Sequence, residues 1–109
     1  MAEKVNHPSH YSQAGRKECI VEMEEKYGPG VTAIFCLTNS YKYLYRAGAK
    51  FGNPARQDIE KTRWYFDYCN KLITKYGILA VNGIRVEDMD LYLDIREMLD
   101  YDWLRKHDR

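Results

Sequence analysis

Three breaks, Gly28-Pro29, Asn53-Pro54 and Gly77, divide this 109-residue chain into stretches whose apolar residues recur at helical pitch. Helical patterning begins near Arg16, where Cys19-Ile20 and Met23 alternate with Glu18, Glu22 and Glu25, and it stops at Tyr27-Gly28. Pro29 suits the first turn of a second helix, because its missing N–H is one that a helix start leaves unbonded anyway. That helix runs to Ala47 and ends in the small residues Ala47-Gly48-Ala49. Asn53 is an N-cap candidate with Pro54 at the first helical position, so a third helix follows to Tyr76. It is expected to close on Gly77 in the left-handed conformation, with Ile78 folding back. A fourth helix starts at Glu87, with acidic residues in its first turn and Arg105, Lys106 and His107 in its last, as the helix dipole favours. Between the third and fourth, Asn82-Gly83 separates short apolar runs and signals a hairpin, or only a turn, since an isolated two-stranded ribbon is marginal.

The expectation is an all-α fold, a compact bundle of about four helices forming one domain over residues 1–109. Residues 1–15, with His7-Pro8-Ser9-His10-Tyr11, are polar and aperiodic and read as an extended arm; 16–76 form the helical core, and 77–109 a C-terminal extension. No apolar run reaches the roughly 20 residues that span a bilayer. Glu3, Asn6, His7 and Pro8 interrupt any signal-peptide pattern, so the expected location is the cytoplasm. Cys19, Cys36 and Cys69 form no CxxC pair and read as reduced, buried, small hydrophobes.

Net charge is only +1, which argues against a binder of duplex nucleic acid. The balance conceals segregation. Lys42, Arg46, Lys50, Arg56, Lys61 and Arg63 crowd the middle, and Glu87, Asp88, Asp90, Asp94, Glu97, Asp100 and Asp102 the end. On the second helix Asn39, Lys42, Tyr43, Arg46 and Lys50 project from one side, with Leu37, Tyr41, Leu44 and Tyr45 on the other. Like charges at i,i+4 repel by a few tenths of a kcal/mol, so a helix that only packs would not concentrate cations this way. The stripe suits a phosphorylated ligand with a planar base: Arg forks the phosphate, Lys adds a point charge, and Tyr stacks or donates. A solvated charged face is the plain alternative.

On the third helix Ile59, Thr62, Tyr65, Phe66, Cys69, Leu72 and Ile73 form the inward stripe, with Arg56, Glu60, Arg63, Asp67, Asn70 and Lys71 facing water. Asp58 and Lys61 fall within the inward sector, either as walls of a pocket bordered by the basic stripe or as an Asp–Lys pair. The fourth helix presents Met89, Leu91, Tyr92, Ile95, Met98, Leu99 and Trp103 on one side, more than so small a chain readily covers. A homo-oligomer assembled through that helix is therefore expected.

Other constellations are weaker. His7 and His10 with Glu18 or Glu22 would suit zinc, but their spacing outside a helix is nonspecific, and no metal is assigned. Glu22 with Glu25, and Glu87 with Asp90, resemble magnesium-holding pairs of all-helical pyrophosphohydrolases, yet the Glu-Glu-x-x-Glu run is missing. No glycine-rich phosphate loop or nucleophilic triad spacing occurs, so neither a cofactor nor a catalytic residue is assigned.

Asn6-His7-Pro8-Ser9-His10-Tyr11, Glu18-Cys19-Ile20, Asn39-x-x-Lys42-Tyr43-Leu44-x-Arg46-Ala47-Gly48-x-Lys50 and Asp58-x-x-Lys61-x-x-x-Tyr65 together resemble the SaV-like family of small bacteriophage proteins of unknown function, over residues 5–76. A related domain occurs in a podophage nucleotide kinase that lacks the usual phosphate loop. The resemblance implies nucleotide handling by His7, His10, Tyr11, Asn39, Lys42, Tyr43, Arg46, Lys50, Asp58 and Lys61 in an infected bacterial host. The leading expectation is a nucleotide-binding anti-defence sponge that sequesters a nucleotide or cyclic nucleotide signal without chemistry. The alternatives are a nucleoside monophosphate kinase-like enzyme, with Asp58 positioning magnesium or the acceptor, and a protein-interaction module.

Overall fold

A computed structural model describes residues 18–47 and 55–100. The described chain is all-α apart from one small hairpin, with α1 at Cys19–Tyr27, α2 at Pro29–Arg46, α3 at Ala55–Tyr76 and α4 at Asp90–Asp100. The extended arm, the Asn53-Pro54 start and Trp103 lie outside the described residues.

Backbone chemistry places the breaks where expected. Gly28 separates α1 from α2 at φ 95°, a value L side chains resist, and Pro29 opens α2. The Thr32 hydroxyl donates to the Gly28 carbonyl at 2.9 Å, satisfying one acceptor at the junction. Gly77 ends α3 at φ 78°. Ile78 does not fold back, however: it is exposed, and Leu79 is the residue that enters the core, its carbonyl accepting the Val86 N–H at 2.9 Å. Asn82 (φ 54°) and Gly83 (φ 79°) supply the two positive φ values of a tight hairpin turn. It joins strands β1 (Ala80–Val81) and β2 (Ile84–Arg85) in antiparallel register, Ala80 opposite Arg85 and Val81 opposite Ile84. A 3-10 turn at Val86–Asp88 precedes α4.

The dominant contact is between α2 and α3. Small residues let these helices approach: Ala33, Cys36 and Ser40 on α2, with Thr62 and Cys69 on α3, are all fully buried. Ser40 Oγ donates to the Thr62 carbonyl at 3.2 Å while Thr62 Oγ1 reaches the Ser40 carbonyl at 3.3 Å and the Asp58 carbonyl at 2.8 Å. Buried hydroxyls are thereby satisfied across the crossing. Burial pushes the thiols of Cys36 and Cys69 up to about 12, as expected for inert core cysteines. Cys19 departs from expectation: it is exposed, on the outer side of α1.

Helix α4 lies against α2, with Ile95 and Tyr92 buried and Met89, Leu91 and Leu99 packed on the same core. Tyr92 donates to Asn70 Oδ1 at 2.6 Å, and Asn70 Nδ2 donates to the Phe66 carbonyl at 3.1 Å. Asn70, read from sequence as water-facing, is thus half-buried beneath α4. The apolar stripe of the fourth helix is covered in part within its own chain: Tyr92 and Ile95 are buried and Met89, Leu91 and Leu99 pack on the core, whereas Met98 stays exposed.

Candidate functional site: cations around Tyr43

The ring of Tyr43, in the last turns of α2, gathers three cations. Lys42 Nζ lies 4.5 Å from its centroid, Arg46 Cζ 5.5 Å, and Lys61 Nζ, from α3, 5.2 Å. The first two arrive by helical pitch. The third arrives because the Ser40–Thr62 crossing sets α3 so that the residue before Thr62 reaches across. Behind the ring, Tyr65 stacks nearly parallel to Tyr43 at 6.0 Å and 8°, and Phe35 meets Tyr65 edge-on at 5.9 Å. Each cation gains from the negative face of the ring, about 0.5–1 kcal/mol where solvent reaches it. None of the three forms a salt bridge with a carboxylate among the described residues. Among the described residues, therefore, three positive charges converge with no carboxylate paired to them, and their potentials add.

Of the residues implicated from sequence, Asn39, Lys42, Tyr43 and Arg46 lie on the last two turns of α2, with Lys42 exposed and the other three half-buried. Lys61 joins them and turns to the Tyr43 ring rather than to Asp58. Asp58 is fully buried at the α2–α3 crossing. His7, His10, Tyr11 and Lys50 lie outside the described residues. Tyr41 and Tyr45, assigned by the helical wheel to the apolar side with Leu37 and Leu44, instead point to solvent. The core direction of α2 runs through Cys36, Leu37, Ser40 and Leu44, which leaves those two tyrosines beyond its edge.

A second polar constellation was not legible as a pair in the sequence. Glu24 is buried, yet it accepts from Tyr76 Oη at 2.5 Å, Lys75 Nζ at 2.9 Å and Tyr68 Oη at 3.1 Å. Hydrogen bonds from Tyr76 and Lys75 hold its carboxyl below the ordinary value of 4.5, outweighing the opposing effect of burial. The available signal was Glu24's position one turn after Ile20, on the apolar side of α1. Next to this cluster, Trp64, Asp67, Tyr68 and Lys71 line an open cleft of about 290 Å³. Trp64 stacks on Tyr68 there at 5.5 Å. Among the described residues no group of three or more His, Cys, Asp or Glu is placed to hold a metal ion, and no helix is long and apolar enough to cross a membrane.

No curated protein and no solved structure matches the chain significantly. A family model does match, over residues 5–67, a span that contains the whole Tyr43 cluster and ends within α3. With more than half its length so matched, the chain belongs to the DUF3310 family, described as proteins of unknown function.

Proposed function

We propose that the protein binds a nucleotide at the Tyr43 cluster and sequesters it unchanged. The observation that carries this reading is the convergence of Lys42, Arg46 and Lys61 on one aromatic ring with no carboxylate counter-ion among the described residues. A phosphate supplies the missing negative charge through charge-assisted hydrogen bonds, and a planar base has the Tyr43 and Tyr65 rings as a stacking surface. The resemblance to SaV-like phage proteins, and through them to a podophage nucleotide kinase, supports a nucleotide over other phosphorylated ligands. In an infected cell, a small protein that withdraws a linear or cyclic nucleotide signal would act as an anti-defence sponge. The kinase alternative asks Asp58 to reach magnesium or an acceptor hydroxyl. Its complete burial weighs toward sequestration.

The test is a thermal-shift screen against mono-, di- and cyclic nucleotides, with mass spectrometry of whatever is recovered. Stabilisation by a nucleotide that is released intact supports sequestration. Consumption of the ligand together with ATP makes the protein a kinase, and no stabilisation by any nucleotide removes the proposal in favour of an interaction module.

A further inference from the structure

The outer side of α2 carries Val31, Ile34, Thr38, Tyr41 and Tyr45 at alternating three- and four-residue intervals, with Ile34 at its edge packed partly against the core. That is the spacing of a helix–helix seam. The seam faces solvent for most of its length: Val31 is 58% exposed, Tyr41 50% and Tyr45 77%. The two tyrosines stack on each other, with ring centroids 6.4 Å apart. At the opposite end of the seam an open apolar groove of about 500 Å³ is lined by Tyr27, Gly30, Val31, Ile34, Ala80 and Val81. Thus one end of the seam protrudes and the other is hollow.

We infer that a second copy of this chain docks on this seam, α2 against α2, antiparallel about a two-fold axis near Cys36. Reversing α2 about that point brings Val31 opposite Tyr41 and Ile34 opposite Thr38, and it directs Tyr45 toward the partner's groove beside Gly30. Because the interface is two-fold, each such contact occurs twice. In this arrangement the protruding tyrosines of one copy meet the hollow end of the other. An exposed tyrosine offers roughly 150–250 Å² when wholly uncovered, so the seam tyrosines, Tyr27 and Val31 together present on the order of 450 Å² per copy. Doubled across the axis, this approaches the ~1,000 Å² that a specific interface needs, before the groove walls Ala80 and Val81 are counted. The surface does not involve the nucleotide-binding cluster, so the inference stands whether or not that reading survives.

Sedimentation equilibrium on the full chain, from micromolar to hundreds of micromolar, tests this with two surface variants. The wild type should sediment as a dimer. Val31→Glu and Tyr41→Lys should each raise the dissociation constant by at least about tenfold while leaving the circular dichroism of the monomer unchanged. Combining them sets a carboxylate opposite an ammonium at both symmetry-related contacts and should give a dimer tighter than either single variant, because the two positions are about 15 Å apart within one helix and cannot pair intramolecularly. A monomer at all concentrations overturns the inference. A dimer indifferent to both single variants, or a double variant no tighter than either, overturns it as well.

Discussion

Toward the C-terminal end of α3 one carboxylate collects three donors; toward the N-terminal end three cations collect around one ring. Glu24 is buried, and Tyr76, Lys75 and Tyr68 satisfy it. Lys42, Arg46 and Lys61 converge on Tyr43 without an anion from the described residues. The first arrangement is complete in itself and ties α1 to α3. The second has no carboxylate partner among the described residues, and on that difference the proposed binding role rests. The family match follows the same division: the Tyr43 cluster lies within residues 5–67, whereas the donors to Glu24 lie beyond it.

If the division holds, substitutions at the two places should part stability from binding. Glu24→Ala should produce the largest loss, about 3 kcal/mol of stability by urea denaturation. It removes a charged acceptor and leaves the buried Tyr68 hydroxyl without its partner. Nucleotide affinity of the folded fraction should not change. Arg46→Ala should do the reverse, weakening nucleotide binding by about 2 kcal/mol in calorimetry while the melting temperature stays level or rises as like-charge repulsion is relieved. Equal effects of both variants on both quantities would erase the comparison.

A smaller effect should appear with pH. The carboxyl of Glu24 titrates lower in the folded state than in the unfolded chain, so it contributes full stability above its unfolded value near 4.5. That contribution is lost as pH falls through the lowered folded value. Melting temperatures recorded between pH 7 and pH 3 should therefore fall less steeply for Glu24→Gln than for the wild type. Parallel curves would mean that the cluster adds nothing through charge. The smallest change is expected for Lys75→Met, since that ammonium is largely exposed and water replaces it readily. It should lower stability only slightly, and added salt should remove the difference from wild type. A loss as large as that of Glu24→Ala would place the strength of the cluster in the ion pair instead of the buried phenol.

Much of the helical framework was legible from a few residues. Gly28-Pro29, Gly77 and Asn82-Gly83 act through φ preferences and a missing N–H, which depend on the residue and its immediate neighbours. The basic stripe was legible too, because helical pitch alone brings Lys42 and Arg46 to the same side as Tyr43. What the sequence could not supply was the direction of the core. Tyrosine has an apolar body and a polar tip and is stable on either side of a helix, so periodicity assigned Tyr41 and Tyr45 inward when they stand in solvent.

The amino-acid sequence by itself determined where helices start and stop, that one turn must be a hairpin, and that cations share a face of α2. Only the tertiary structure decided that Lys61 crosses from α3 to complete the Tyr43 cluster, that Glu24 and Asn70 are drawn inside while Cys19 is left out, and that Tyr92 and Ile95 of the fourth helix are buried while Met98 is not. The physical reason is range. Backbone preferences are settled within a turn of chain, whereas burial and charge pairing depend on which surfaces the α2–α3 crossing brings together, and that crossing is fixed by small residues far apart in sequence.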